Sequence, residues 1–158
     1  MRKRLSKKRM LLPDPKFNDR LVTRFVNNLM LDGKKSVAFK VFYDALDIVE
    51  QRKQDEEKTA LELWKEGLSN VMPHVEVRSR RVGGATFQIP MPIRADRKIS
   101  MAIKWMILYA RKRNEKSMSQ RLAGEILASV KEEGAAVKKR VDVHKMADAN
   151  KAFSHFRF

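Results

Sequence analysis

Arginine and lysine are the residues of this chain whose spacing suggests chemistry, and that chemistry is the holding of phosphate. They fall in five clusters: Arg2, Lys3, Arg4, Lys7, Lys8 and Arg9; Lys34-Lys35; Arg78, Arg80 and Arg81; Arg111-Lys112-Arg113; and Lys138-Lys139-Arg140. Guanidinium forks offer paired donors to phosphate oxygens, and lysine supplies a compact point charge. Lys16, Arg94, Arg97 and Lys98 stand between the clusters and join the same candidate binding set.

Bond-breaking chemistry finds no comparable set. Gly33-Lys34-Lys35-Ser36 looks like the end of a phosphate-binding loop, but Asn28, on a predicted helix, stands where the loop's first glycine belongs. Gly83-Gly84 lacks the third glycine and the βαβ setting of a dinucleotide fingerprint, so a turn is its role. His74, His144 and His155 are scattered, with no i, i+4 pair, and the absence of cysteine removes thiolate-bound metals and disulfides. No serine sits in a nucleophile elbow, and no two carboxylates share an apolar setting that would part their pKa values. The expectation is a binding protein without catalysis, metal or cofactor.

Composition points to the same class of partner. The 158 residues suit one domain and carry 35 Lys+Arg against 19 Asp+Glu, a net charge of +16, with 43% hydrophobic residues. That apolar content builds a core, and the charge calls for a polyanion. Only Met10, Leu11 and Leu12 follow the basic start before Pro13, too few for a signal peptide, and no later run spans a bilayer. The expected setting is cytoplasmic, with no membrane partner.

The elements that must position the cations follow from periodicity. Residues 1–16 read as an extended basic arm, because six of the first nine side chains are basic and Pro13-Asp14-Pro15 keeps the backbone out of the helical region. The folded part, 17–158, is expected to begin about Phe17. Apolar residues at helical spacing predict helices from Arg20 to Met30, after Ser36 as N-cap, and after the charged stretch Gln51 to Lys58. From Pro73 to Pro92 the period becomes two, which predicts a hairpin connected by Ser79-Arg80-Arg81-Val82-Gly83-Gly84. Ile99 to Ala110 predicts a long central helix with Leu108 on its apolar side, Leu122 to Val130 a fifth, and Ala135 to Ala147 a sixth. Trp64 and Trp105 read as core anchors. Phe153, His155 and Phe156 either dock on the bundle or stack on nucleotides. The fold class is mainly α: a six-helix bundle with an inserted, protruding two-stranded β-hairpin and a basic N-terminal arm.

Charge is also segregated along the chain. Residues 44–66 hold eight acids against four bases, whereas residues 78–113 hold ten bases against one acid, Asp96. Phosphates should therefore meet the side carrying the hairpin and the fourth helix. A DNA regulator is the competing class, but the fourth helix is too apolar to read bases, and an RNA-modifying enzyme lacks its motif.

Leu12-Pro13-Asp14-Pro15-Lys16-Phe17, Asp32-Gly33-Lys34-Lys35-Ser36 and Val75-Glu76-Val77-Arg78-Ser79-Arg80-Arg81-Val82-Gly83-Gly84 occur in that order. With Ala110-Arg111-Lys112-Arg113, Lys116-Ser117-Met118, Ala136-Val137-Lys138-Lys139-Arg140 and Ala149-Asn150-Lys151-Ala152-Phe153, the ordered set resembles the bacterial small-subunit ribosomal protein seven family. The resemblance implies a primary binder of the 3′ major domain of 16S rRNA that nucleates assembly of the subunit head. It further implies a place near exit-site tRNA and mRNA, beside the ninth and eleventh small-subunit proteins. Arg80, Arg81, Val82, Gly83 and Gly84 would then face tRNA and mRNA, and the remaining cations rRNA. Met72 departs from the family, which commonly has a basic residue there, and a longer C-terminal tail of some members is not expected.

Overall fold

The structure, a computed structural model, describes residues 9–53 and 56–156. Its helices are α1 (Arg20–Leu29), α2 (Lys35–Arg52), α3 (Ala60–Val71), α4 (Ala95–Arg111), α5 (Met118–Val130) and α6 (Ala135–Ala149). Strands β1 (Val75–Val82) and β2 (Ala85–Pro92) are inserted between α3 and α4, and a 3-10 turn at Lys151–Phe156 follows α6. The expected six helices and antiparallel hairpin are present.

Three aromatic rings bind the first helices to one another. Phe25 of α1, Phe42 of α2 and Trp64 of α3 lie 5.2 to 5.4 Å apart, centroid to centroid, in edge-on and tilted contacts that suit ring quadrupoles. Leu46, Leu68, Ile103, Met106, Leu122 and Ile126 close around them, all essentially inaccessible. Trp105 is only half-buried and packs on the outside of this cluster. The central position is shared: α4 meets α1, α3, α5 and α6, while α5 packs against α2, α3, α4 and α6. On α4 the buried face runs through Ile103, Met106, Ile107 and Ala110, so Leu108, expected inside, is 47% exposed.

Several boundaries differ from expectation for local reasons. Asp14 is buried: one carboxylate oxygen accepts the Lys16 and Phe17 amides at 3.1 and 2.9 Å, and the other accepts the Tyr43 hydroxyl at 2.6 Å. The chain thus joins the fold before Phe17. Ser36 does not cap α2; Asp32 and Gly33 are both left-handed, the reversal is complete by Lys34, and Lys34 is the cap residue without a side-chain bond. Thr59 with Glu62, and Ser117 with Gln120, form reciprocal capping boxes that start α3 and α5.

The hairpin is longer than its period-two core suggested. Pairing runs without interruption from Val75 with Pro92 to Val82 with Ala85, so Ser79, Arg80 and Arg81 are strand residues and the turn is Gly83-Gly84 alone. Their φ of 57° and 90° match a two-residue turn that needs both centres left-handed. This register places Glu76, Arg78 and Arg80 on the same face as Phe87, Ile89 and Met91, and Val75 and Val77 on the other. Glu76 shares that face with Ile89 and is only 5% exposed.

Candidate nucleic-acid interface

Burial of the Glu76 carboxylate is tolerable because two guanidinium groups meet it. Arg78 pairs with one oxygen, and Arg97 of α4 donates to the other at 2.6 Å. Burial alone would raise its pKa, but the hydrogen bonds from Arg97 and Arg78 outweigh that and hold it below the ordinary value. The triad fixes the base of the hairpin to α4. At the opposite edge the Phe87 ring rests on Phe153, 5.0 Å between centroids, so the final turn braces β2.

Arg113 serves the interior in the same way. It bonds Glu115 at 2.8 Å and the fully buried Glu125 at 3.2 Å, and a Cβ on Gly124 would come within 2.8 Å of its guanidinium. Glu125 also accepts the Ala136 amide at 2.9 Å, in the first turn of α6. Arg140 lies 4.0 Å from Glu132, and Lys16 lies 3.5 Å from Asp47 beside the Phe17 and Tyr43 rings. Tyr43 is pushed up to about 12, first by burial and then by its bond to Asp14.

Other predicted cations stay at the surface. Arg9, Lys34, Arg81, Arg94 and Lys138 are exposed and make no ion pair with a described residue, and Lys139 is half-buried and unpaired on the same terms. Lys35 and Lys112 lie over Phe39 and Tyr109 at 5.7 and 5.3 Å. Arg80 is exposed on β1, beside the Gly83-Gly84 turn. Arg111 gives one Nη to the Leu29 carbonyl at 3.1 Å, which brings it beside Lys34, distant in sequence. His155 is exposed, with Nδ1 2.8 Å from the Ala152 carbonyl. Arg2, Lys3, Arg4, Lys7 and Lys8 lie outside the described residues, as do the side chains of Val82 and Phe156.

Three carboxylates of the acidic segment are matched by their own neighbours. Glu50 pairs with Lys53 and accepts the Ala60 amide at 2.9 Å, Glu66 meets Lys58 at 3.0 Å, and Glu62 completes the Thr59 capping box. These bonds tie the end of α2 to the start of α3. Sequence reasoning missed Arg24, which reaches the Asp96 carbonyl at 2.7 Å, and Arg121, which reaches the Glu115 carbonyl at 2.6 Å. Neither stands in a basic run, so only tertiary packing reveals them.

Two of the scattered histidines meet in space. The His74 amide donates to His144 Nε2 at 3.1 Å, and Lys98 Nζ lies 3.4 Å from His74 Nδ1. Burial, then the charges of His74 and Arg140, lower the His144 pKa. Among the described residues no group of three or more His, Cys, Asp or Glu is arranged to hold a metal ion, and no helix is long and apolar enough to cross a membrane.

The comparisons with known proteins agree with one another. The family model described as ribosomal protein S7p/S5e matches residues 1–151. Proteins named small ribosomal subunit protein uS7 are similar over the full length of both chains: 80% identical in Flavobacterium johnsoniae, 79% in Flavobacterium psychrophilum and 58% in Bacteroides fragilis.

Proposed function

The chain belongs to the ribosomal protein S7p/S5e family, a structural and non-enzymatic component of the small ribosomal subunit, and from that premise we propose that it binds the 3′ major domain of 16S rRNA and nucleates assembly of the subunit head. The observation that carries this reading is the division of its cations. Arg78, Arg97 and Arg113 hold the hairpin and α5 in place, while Lys34, Arg81, Arg94 and Lys138 stay exposed without a described acid partner. A rigid bundle of this kind reads shape and backbone, because A-form RNA closes its deep groove to side chains. Phosphates at a multi-helix junction are the matching surface.

The hairpin reaches beyond the bundle with Arg80, Arg81 and the Gly83-Gly84 turn, a form suited to approach exit-site tRNA and departing mRNA. The ninth and eleventh small-subunit proteins are the proposed protein neighbours, by family resemblance. Footprinting on 16S transcripts tests the reading. Protection confined to a junction of the 3′ major domain is expected; equal binding to a 5′-domain transcript would overturn it.

A further inference from the structure

We propose that the apolar cleft between the α1–α2 connection, the end of α4 and the start of α5 receives one unpaired amino-bearing base (adenine, cytosine or guanine) of the bound rRNA. This rests on the rRNA-binding reading and adds a base-specific contact to it. The cleft has a volume of about 440 Å³ and is walled by Leu31, Val37, Val41 and Met118. That volume lies within the roughly 300–1,000 Å³ range of small-ligand clefts. Leu31 and Val37 are 62% and 55% exposed. Single exposed hydrophobes need no explanation, but two facing one cleft mark a surface that gains by being covered.

The rim decides what covers it. Lys34 makes no ion pair with a described residue, and Arg111 commits one Nη to the Leu29 carbonyl and likewise makes no ion pair with a described residue. An occupant with a flat apolar face and an attached anion satisfies both rim and walls, and a nucleotide has that form. Asp32 lies on the same rim. Its carboxylate disfavours a second phosphate and suits a hydrogen bond from an exocyclic amino group, which adenine, cytosine and guanine carry and uracil lacks. A cationic or uncharged peptide would leave Lys34 and Arg111 unanswered.

Dimethyl sulfate probing of a 3′-major-domain transcript with the full chain tests this directly. With the unaltered protein, one unpaired adenine, cytosine or guanine should be protected, guanine being read by kethoxal alongside dimethyl sulfate. Leu31→Asn combined with Val37→Gln, both at exposed positions, should lose that protection and bind about tenfold more weakly. The slope of affinity against salt should not change, since no phosphate contact is removed. Val37→Trp, which fills the cleft and keeps it apolar, should lose the same protection. Unchanged protection and affinity in both variants would overturn the proposal while leaving rRNA binding intact. Variants that bind the transcript normally but fail to enter small subunits would also overturn it, assigning the cleft to a protein neighbour. If the unaltered chain shows no preference for the transcript, the underlying rRNA-binding reading fails, and the cleft proposal with it.

Discussion

Arg113 and Lys138 both stand in runs of three basic residues, yet they do opposite work. Arg113 neutralises the buried Glu125, whereas Lys138 is exposed and unpaired among described residues. Arg113→Ala should destabilise the fold by about 2–3 kcal/mol, because it strands a buried carboxylate. The check is a lower urea midpoint with an unchanged salt slope of RNA binding. Lys138→Ala should do the reverse, with stability within about 0.5 kcal/mol and a salt slope shallower by about one. Acid sensitivity belongs to this scale too. Asp19, Glu76 and Glu115 all titrate below their ordinary values: bonds from Lys65 to Asp19, from Arg97 and Arg78 to Glu76, and from its own backbone amide and then Arg113 to Glu115 outweigh burial. Their stabilisation is complete above the ordinary Glu value of 4.5 and disappears as pH falls through the lowered folded values. Thermal midpoints should therefore drop steeply below about pH 4.5, and Glu76→Gln should remove part of that decline.

At the level of elements, the hairpin register permits a clean dissection. Arg80 pairs with Phe87, so residues 81–86 can be replaced by a two-residue Asn-Gly turn without touching the Phe87–Phe153 contact. The shortened protein should keep the thermal midpoint of the bundle and most of its affinity for the 3′ major domain. Subunits that carry it should handle tRNA or mRNA abnormally; normal translation with failed head assembly would argue the opposite. The hairpin also shows what a sequence can and cannot reveal. Period-two alternation and Gly83-Gly84 identified it, because pleat and turn are local properties. The register is not local, and it placed Glu76 inside against Arg97 of α4. The same holds for Arg113 with Glu125 and for His74 with His144, whose partners depend on how α4, α5 and α6 pack. Helical spacing found the face of α4 within a residue, which is why Leu108 fell on the wrong side while Ile103, Met106 and Ala110 fell on the right one.

At the scale of the whole molecule, positive charge is neither uniform nor wholly available. Glu50, Glu62 and Glu66 at the α2–α3 end answer local lysines and helix caps, and Arg78, Arg97 and Arg113 answer buried acids, which leaves a subset of cations without an acid partner among the described residues. We propose that the basic residues of the arm add to the cations that meet phosphate. Removing residues 1–9 should weaken RNA binding and flatten its salt dependence, with bundle unfolding nearly unchanged; a large loss of stability would make the arm part of the core. Competition between a 3′-major-domain transcript and duplex DNA of equal length, across a salt series, separates recognition of folded rRNA from general attraction to a polyanion. Affinity should fall on the order of 10³- to 10⁵-fold between roughly 50 and 200 mM salt for about six to ten phosphate contacts, with preference for the transcript kept throughout. Equal affinity for the two at every salt concentration would contradict it.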